Sequence, residues 1–392
     1  MARIRVLVVD DSALVRRAVT DSLSREPDIE VVGTAVDPYV ARDRITQLDP
    51  DVVTLDIEMP RMDGITFLKL IMKYRPMPVI IMSSLTTAGS DKVLEALQAG
   101  AVEVVGKPGG AYSAVDGRVL AQKIRAAAQS RVGRLPRPMG QTVFLERQEA
   151  AVARGAPVEA DPATVRLRST GAGVGGRVAV AKLPISQHRR QYAPRQVILM
   201  GASTGGTEAL KTVLTKLPAD MPPIVIVQHI PAYFSKAFAD RLNGLCQLEV
   251  REAVQGDRLR PGLALVAPGG FHMVMQWSGS GYGVRLNQDP AVHYQRPAVD
   301  VLFASAVQAG AARYSLSVIL TGMGGDGAAG MVRLREGGGR TVAQDEESCV
   351  VFGMPREAIR LGGAQEVLAL EKIAARMDRH GNEVAMRAAV PV

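Results

Sequence analysis

Val197-Ile198-Leu199-Met200-Gly201-Ala202-Ser203-Thr204-Gly205-Gly206 runs from an apolar stretch into a glycine-bounded turn, and a helical pattern starts at Thr207. A short apolar run, a tight turn and a helix make one βα unit of a parallel sheet. Ser203 stands on the turn, where its hydroxyl is pushed clear of the backbone. The helix behind it offers free N–H groups and the positive end of a dipole. That suits a nucleophile whose substrate develops an oxyanion, and the G-x-S-x-G spacing fits a nucleophile elbow. Taken alone, the same residues also fit a plain strand-to-helix turn with Ser203 as a cap. The rest of the chain decides between the two.

From Arg195 onward the rhythm repeats. Val197–Met200, Ile224–Val227, Leu263–Val266, Ser317–Leu320 and Thr341–Ala343 read as strands. Thr207–Leu217, Ser235–Leu242, Val299–Ala309 and Ala328–Arg335 read as helices. Phe271–Gln276 and Tyr282–Asn287 read as a hairpin around Ser278-Gly279-Ser280-Gly281. Residues 1–125 show the same alternation. Their strands are Ile4–Val9, Ile29–Ala35, Asp51–Leu55, Val79–Met82 and Val102–Val105; their helices are Ala13–Ser24, Val40–Leu48, Gly64–Tyr74, Asp91–Ala99 and Val115–Ala128. The expected fold class is α/β, two doubly wound parallel-sheet domains with sites at the carboxyl ends of the strands. The two halves share no motif, so they are not repeats.

The stretch between them breaks the rhythm. It is rich in Arg, Pro, Gly and Ala, and Gly171-Ala172-Gly173-Val174-Gly175-Gly176 is close to low complexity. With few aromatics and no lasting periodicity it is expected to lack a core of its own. The expected divisions are therefore 1–128, a basic linker 129–194, a domain 195–375 and a polar tail 376–392. The net charge of +8 over 392 residues belongs to the linker: residues 126–195 hold twelve Arg and Lys against four Asp and Glu, and the remainder balances. The basic character thus does not describe a nucleic-acid-binding domain.

No apolar run approaches the ~20 residues of a membrane span. The first apolar segment is cut by Asp10 and Asp11, too early for a signal peptide. Cys246 and Cys349 lie among apolar neighbours and read as buried thiols in a reducing cytoplasm, not as a disulfide. With no Cys-x-x-Cys and five scattered histidines, a zinc site is not expected.

Two constellations carry chemistry. In the first, Asp10 and Asp11 end one strand, Asp56 ends another, Ser83 a third, and Lys107 follows a fourth. A parallel sheet brings these ends to one edge. Carboxylates gathered there repel one another unless a cation neutralises them, and hard oxygen ligands suit Mg²⁺. A lysine and a serine beside them can contact phosphoryl oxygens. Asp caps and turn residues explain any one of these, not all of them at one edge. Val8-Val9-Asp10-Asp11-Ser12, Leu55-Asp56-Ile57-Glu58-Met59-Pro60-Arg61-Met62-Asp63-Gly64 and Lys107-Pro108 resemble the response-regulator receiver family. The resemblance implies a flavodoxin-like domain with Asp56 as phospho-acceptor. It also implies Mg²⁺ on Asp10, Asp11, Asp56 and the Glu58 main-chain carbonyl, and Ser83 and Lys107 on the phosphoryl group. Where receivers commonly carry an aromatic, three residues before the lysine, this chain has Val104.

In the second constellation, Ser203 needs a base and the base an orienting group. His229 ends the strand after Ser203. His272 and His293 are weaker candidates, His188 lies in the linker and His380 in the tail. Asp326, in Thr321-Gly322-Met323-Gly324-Gly325-Asp326-Gly327, follows a further strand. The order Ser, His, Asp differs from that of α/β-hydrolases, but triads are recognised by role. Gly201–Thr207, Gln228-His229, Arg296–Phe303, Leu320–Met331 and Cys349–Ala358 resemble the catalytic domain of chemotaxis protein-glutamate methylesterases of the CheB type. The resemblance implies a Rossmann-like hydrolase domain with the triad Ser203, His229 and Asp326 and an oxyanion-hole N–H at Met323. The family often has Asn where this chain has Gly325.

The implied function is hydrolysis of glutamate γ-methyl esters, and deamidation of glutamines, on the cytoplasmic helices of chemoreceptors. A histidine kinase would phosphorylate Asp56 with Mg²⁺, while ester hydrolysis would need no metal. No nucleic-acid partner and no membrane insertion are expected. The alternatives are a DNA-binding regulator, which lacks a helix-turn-helix pattern, a methylesterase of another sensory pathway, and an inactive receptor-binding adaptor.

Overall fold

The computed structural model describes residues 3–83, 90–107, 117–133 and 195–388. Of the linker expected over 129–194, residues 134–194 lie outside these residues. The described residues of both sheets belong to one compact unit.

The first sheet comprises β1 (Ile4–Val9), β2 (Ile29–Ala35), β3 (Val52–Asp56), β4 (Val79–Ser83) and β5 (Glu103–Gly106). Its order is β2-β1-β3-β4-β5, and all pairs are parallel. The helices α1 (Ala13–Leu23), α2 (Pro38–Leu48), α3 (Gly64–Tyr74), α4 (Ser90–Gln98) and α5 (Gly117–Ala128) alternate with the strands. Covering both faces explains why the central strands are continuous apolar runs. Val6, Val8, Ile80 and Val105 pack with Leu120 and Ile124 of α5 on one face. Leu7, Leu55, Ile81 and Val104 pack with Leu68 and Ile71 of α3 on the other.

The second sheet holds β6 (Val197–Ala202), β7 (Ile224–Gln228), β8 (Glu249–Glu252), β9 (Leu263–Val266), β12 (Ser315–Ile319), β13 (Arg340–Gln344) and β14 (Glu366–Leu368). The seven strands run parallel in the order β14-β13-β12-β6-β7-β9-β8. The hairpin β10 (His272–Trp277) and β11 (Tyr282–Asn287) stands apart as an antiparallel pair. The helices are α6 (Gly206–Leu214), α7 (Ala232–Leu245), α8 (Val299–Gln308), α9 (Ala328–Glu336), α10 (Met354–Arg360) and α11 (Leu370–Ala388). β6 is central, and both of its faces are buried.

The sequence reading differs from this in particular places. β8, β14 and α10 were not expected. Residues after Ala128 do not enter the linker at once: Ser130 is buried and a 3-10 turn spans Arg131–Gly133. The stretch from 376, expected as a polar tail, continues α11, which seats Ile373, Ala374 and Met377 in the core under β6 and β12. Cys246 and Cys349 are buried free thiols, as expected. Burial, with Asp345 nearby, pushes the Cys349 thiol up to about 12, so it stays protonated.

His380 is the clearest reversal, since α11 buries it. Burial and then the positive charge of Arg376 bring its pKa down from 6.5 to about 4. Above pH 6.5 the imidazole is neutral in both folded and unfolded chains, and this contribution to stability is intact. As the pH falls from 6.5 through 4 the unfolded chain takes up the proton first, which costs about 3 kcal/mol of stability in full. His380→Leu is expected to flatten the decline of the urea midpoint over that range. Parallel declines of variant and parent would remove His380 as its source.

Candidate active site and receiver site

Ser203 and His229 each follow the last paired residues of adjacent parallel strands, Ala202 of β6 and Gln228 of β7. The His229 N–H donates to the Ala202 carbonyl at 3.0 Å. The Gln228 amide holds both positions, donating to the carbonyls of Ser203 at 2.9 Å and His229 at 3.2 Å. Gly206 makes room for that amide, because a Cβ there would lie 2.2 Å from its oxygen. Gly205 takes the left-handed conformation, φ +76°, which turns the chain from β6 into α6. No side chain caps α6, and its first N–H, that of Gly206, donates to the Ser203 carbonyl at 2.7 Å.

The loop after β12 closes on the same point. The Ser203 N–H donates to the Thr321 carbonyl at 3.0 Å, and the Thr321 hydroxyl donates to the Thr204 carbonyl at 2.9 Å. Gln344 anchors this loop by accepting the Thr321 N–H at 2.8 Å. A Cβ on Gly322 would lie 2.6 Å from the Ser203 Cβ and 2.4 Å from the Met354 sulfur. Gly322→Ala is therefore expected to displace Ser203 and to lower kcat about a hundredfold. A folded variant retaining the parental rate in a methanol-release assay would refute that.

Asp326 lies 2.7 Å from the Nε2 of His229 through its Oδ2, and both side chains are buried. The N–H of Val299 donates to the same oxygen at 2.7 Å and that of Asp300 to Oδ1 at 2.8 Å. The Asp326 carboxylate thus caps α8. Burial opposes its ionisation, but His229 and the two N–H groups outweigh burial and hold the carboxyl below its usual range. His229 engaged through Nε2 has Nδ1 left for a proton from Ser203. Among the described residues Ser203 and His229 share no hydrogen bond. The Met323 N–H makes none either.

The other histidines have separate roles. His272 accepts the Ala298 N–H at Nδ1, 3.2 Å, and its Nε2 meets the Pro290 carbonyl at 3.1 Å. That fixes the strand entering α8. His293 pairs with Asp300, 3.0 Å.

At the carboxyl edge of the first sheet, the carboxylates of Asp10, Asp11 and Asp56 offer oxygens within 4.8 Å of one another. The Lys107 ammonium lies 2.7 Å from Asp56 and 3.1 Å from Asp10. Burial pushes Asp56 up to about 6, Lys107 opposing and Asp10 adding to the rise. Ser83 is buried at the end of the neighbouring strand β4, and its carbonyl accepts the Lys107 N–H at 2.9 Å. Glu58 is exposed, with its N–H on Asp56 at 3.2 Å. Val104 points into the core between the sheet and its helices.

This first domain also touches the Ser203 turn, through residues that sequence reasoning missed. The Thr204 hydroxyl donates to the Glu103 carboxylate at 2.7 Å, and Lys123 of α5 lies 3.1 Å from the same oxygen. Val350, against which Gly205 is packed, contacts the cluster of Val105 and Leu120. Arg131 donates its N–H to the Val350 carbonyl at 3.3 Å and pairs with Glu346 at 3.2 Å. Leu94 of α4 joins the cluster of Leu210 and Leu242, and Phe234 of α7 joins that of Val93 and Val104. Ser203 retains 6% of its exposure, His229 4% and Asp326 2%, too little for a protein side chain to reach them. No local pattern in the sequence signals Glu103.

Comparison with known proteins gives the following. The CheB methylesterase family model matches residues 198–377, and the response regulator receiver domain model matches residues 6–115. A protein-glutamate methylesterase/protein-glutamine glutaminase of Syntrophus aciditrophicus is 48% identical over 375 residues, 95% of this chain and 98% of the relative. Another, from Pectobacterium atrosepticum, is 47% identical over 384 residues, 96% of this chain and 97% of the relative. The crystal structure of the Thermotoga maritima CheB methylesterase catalytic domain is 37% identical, spans 47% of this chain and 97% of its own, and has a TM-score of 0.46.

Proposed function

The chain belongs to the protein-glutamate methylesterase/protein-glutamine glutaminase family, with a receiver domain ahead of its hydrolase domain, and on that premise we propose how its residues divide the work. Ser203 is the nucleophile, His229 its base and Asp326 the orienting carboxylate. The observation that carries this reading is the 2.7 Å contact between His229 and Asp326 beside the uncapped Ser203 turn.

His229 takes the Ser203 proton at Nδ1 as Oγ attacks the γ-carbonyl of a methylated glutamate. Asp326 stabilises the imidazolium that forms. The Met323 N–H receives the oxyanion, and the positive end of the α6 dipole favours it. The imidazolium returns its proton to the departing methoxide, which leaves as methanol, and a water activated by the same base releases the acyl group. A glutamine follows the same course with ammonia leaving.

The substrate is the cytoplasmic helices of chemoreceptors, in the chemotaxis pathway that the family resemblance implies. The protein works in the cytoplasm, and none of its described helices is long and apolar enough to cross a membrane. A histidine kinase supplies phosphate to Asp56. The clustered carboxylates of Asp10, Asp11 and Asp56 are hard donors that fit Mg²⁺, with the Glu58 carbonyl as a further ligand. When bound, the ion neutralises the charge that a phosphoryl group adds to this edge. Lys107 and Ser83 hold the phosphoryl oxygens.

The test is methanol release from methylated receptor, with and without a small phosphodonor. Release that depends on Ser203 and rises with the phosphodonor is expected. No release under either condition would favour the inactive adaptor.

A further inference from the structure

Asp326 is not the only carboxylate behind His229. Asp300, in the first turn of α8, lies beside it. Oxygens of Asp300 and Asp326 and a ring nitrogen of His293 come within 4.8 Å of one another. Asp300 accepts the Gly330 N–H of α9 at Oδ1, 2.7 Å, and meets the Nε2 of His293 at Oδ2, 3.0 Å. A Cβ on Gly330 would stand 2.5 Å from the Phe303 Cβ and 3.0 Å from Asp300 Oδ1, so glycine there lets α9 pack close against α8. Asp326 already receives His229 and two N–H groups, which argues against the three residues holding a metal ion.

The turn carrying His293 is strained. His293 and Tyr294 have φ +53° and +60°, a region that bulky residues avoid. Val292 and Gln295 bracket them with reciprocal backbone hydrogen bonds of 3.1 and 2.9 Å. Arg296 fastens the stem to the carbonyls of Gln288 and Asp289 at 2.9 and 3.2 Å. This conformation sets the half-exposed His293 ring against Asp300.

We propose that Asp300 and His293 form an outer carboxylate–imidazole pair that positions Asp326 and tunes the basicity of His229. This rests on the triad reading given above. The negative charge of Asp300 adds to that of Asp326 and stabilises the imidazolium formed when Ser203 gives up its proton. A neutral His293 donates to Asp300 and leaves that charge in force. A protonated His293 cancels it and makes His229 a weaker base. Both are positioning residues, since they act through Asp326.

The other charged groups around Asp300 are few. Asp326 lies beside it from the loop after β12, with His229 on the Oδ2 of Asp326. Asp289 and Arg296 lie in the loop of His293, and Arg296 is turned onto the carbonyls already named. From β10, His272 is held by Ala298 and Pro290. The first turn of α9 carries no acidic residue, and its basic residues lie in the last turn. From α10, Glu357 lies against Gly325, one residue before Asp326.

The experiment compares pH profiles of methanol release by the full chain treated with phosphodonor. Asp300→Asn keeps the size of the side chain and an oxygen for Gly330, and removes the charge. It is expected to lower kcat about tenfold with KM little changed, and to move the acid limb of kcat/KM down by roughly half to one pH unit. His293→Gln, on an exposed turn where folding is not at risk, is expected to move that limb up. An unshifted limb in both variants overturns the proposal, whatever happens to kcat, because a merely structural role changes the rate and not the profile. Ser203→Ala, run in parallel, separates the two readings. If it retains the parental rate, the triad itself is wrong; if it is inactive and the limb stays fixed, only the outer pair is wrong.

Discussion

Replacing Ser203 with alanine is expected to reduce methanol release by about three to six orders of magnitude while the fold survives. The side chain is small and its hydroxyl makes no hydrogen bond among the described residues, so its loss opens no cavity and strands no buried partner. The turn itself is fixed by main-chain contacts, the Ser203 N–H on Thr321 and the Ser203 carbonyl on Gln228, which alanine preserves. His229→Ala should be nearly as severe, because the serine is then without a base. Asp326→Asn should cost less in chemistry, since an amide can still orient the ring, but it loses the charge that stabilises the imidazolium. It also weakens the cap of α8, so its thermal midpoint should fall where that of Ser203→Ala does not. A Ser203→Ala protein that hydrolysed the ester at the parental rate would show that another nucleophile does the work.

How far this site can be read from the sequence depends on whether its contacts are local. The β6 turn is legible because the period changes abruptly at a glycine-bounded serine. His229 follows because parallel strands bring their carboxyl ends together and it stands just past β7, whereas Asp326 lies further on, in the glycine-rich loop between β12 and α9. Asp300 had no such signal: an acidic residue in the first turn of a helix is ordinary, and only the packing of α9 on α8 reveals its second role. The strands that escaped prediction lie at the sheet edges. β8 reads Glu-Val-Arg-Glu, and β14 has three residues, of which Val367 is exposed. An edge strand needs few apolar positions, which removes the alternation that would mark it. In α11, Ile373, Ala374 and Met377 form a helical stripe, but the charged residues between them disguise it as a polar tail. Glu103 was hidden for a different reason, since its partner is a hundred residues away across the linker.

That partner makes a second large effect testable. Unphosphorylated full-length protein should be slow, because Thr204, next to Ser203, is tied to Glu103 of β5. Glu103 opens this four-residue strand and Lys107 follows its end. The ammonium of Lys107 holds Asp56 and Asp10, so a phosphoryl group on Asp56 is expected to draw that ammonium to itself and pull on β5. Such a displacement should reach Glu103 along the paired strand, Ser83 opposite Gly106 at one end and Ile80 opposite Glu103 at the other. Asp56→Asn should therefore keep the basal rate in the presence of phosphodonor. Glu103→Ala should mimic activation. A hydrogen bond to a charged carboxylate contributes about 1.5–3 kcal/mol, so its loss should raise the open population and the basal rate about tenfold or more. The rate after phosphodonor should change little, because the contact is already broken in that state. Loss of the carboxylate also leaves Lys123 without its partner, and Glu103→Gln, which keeps the side chain's size, should raise the basal rate less. If both substitutions left the basal rate unchanged while Asp56→Asn still blocked activation, the signal would have to leave the receiver elsewhere, through the packing of Leu94 and Phe234 or the contacts of Val350 and Arg131.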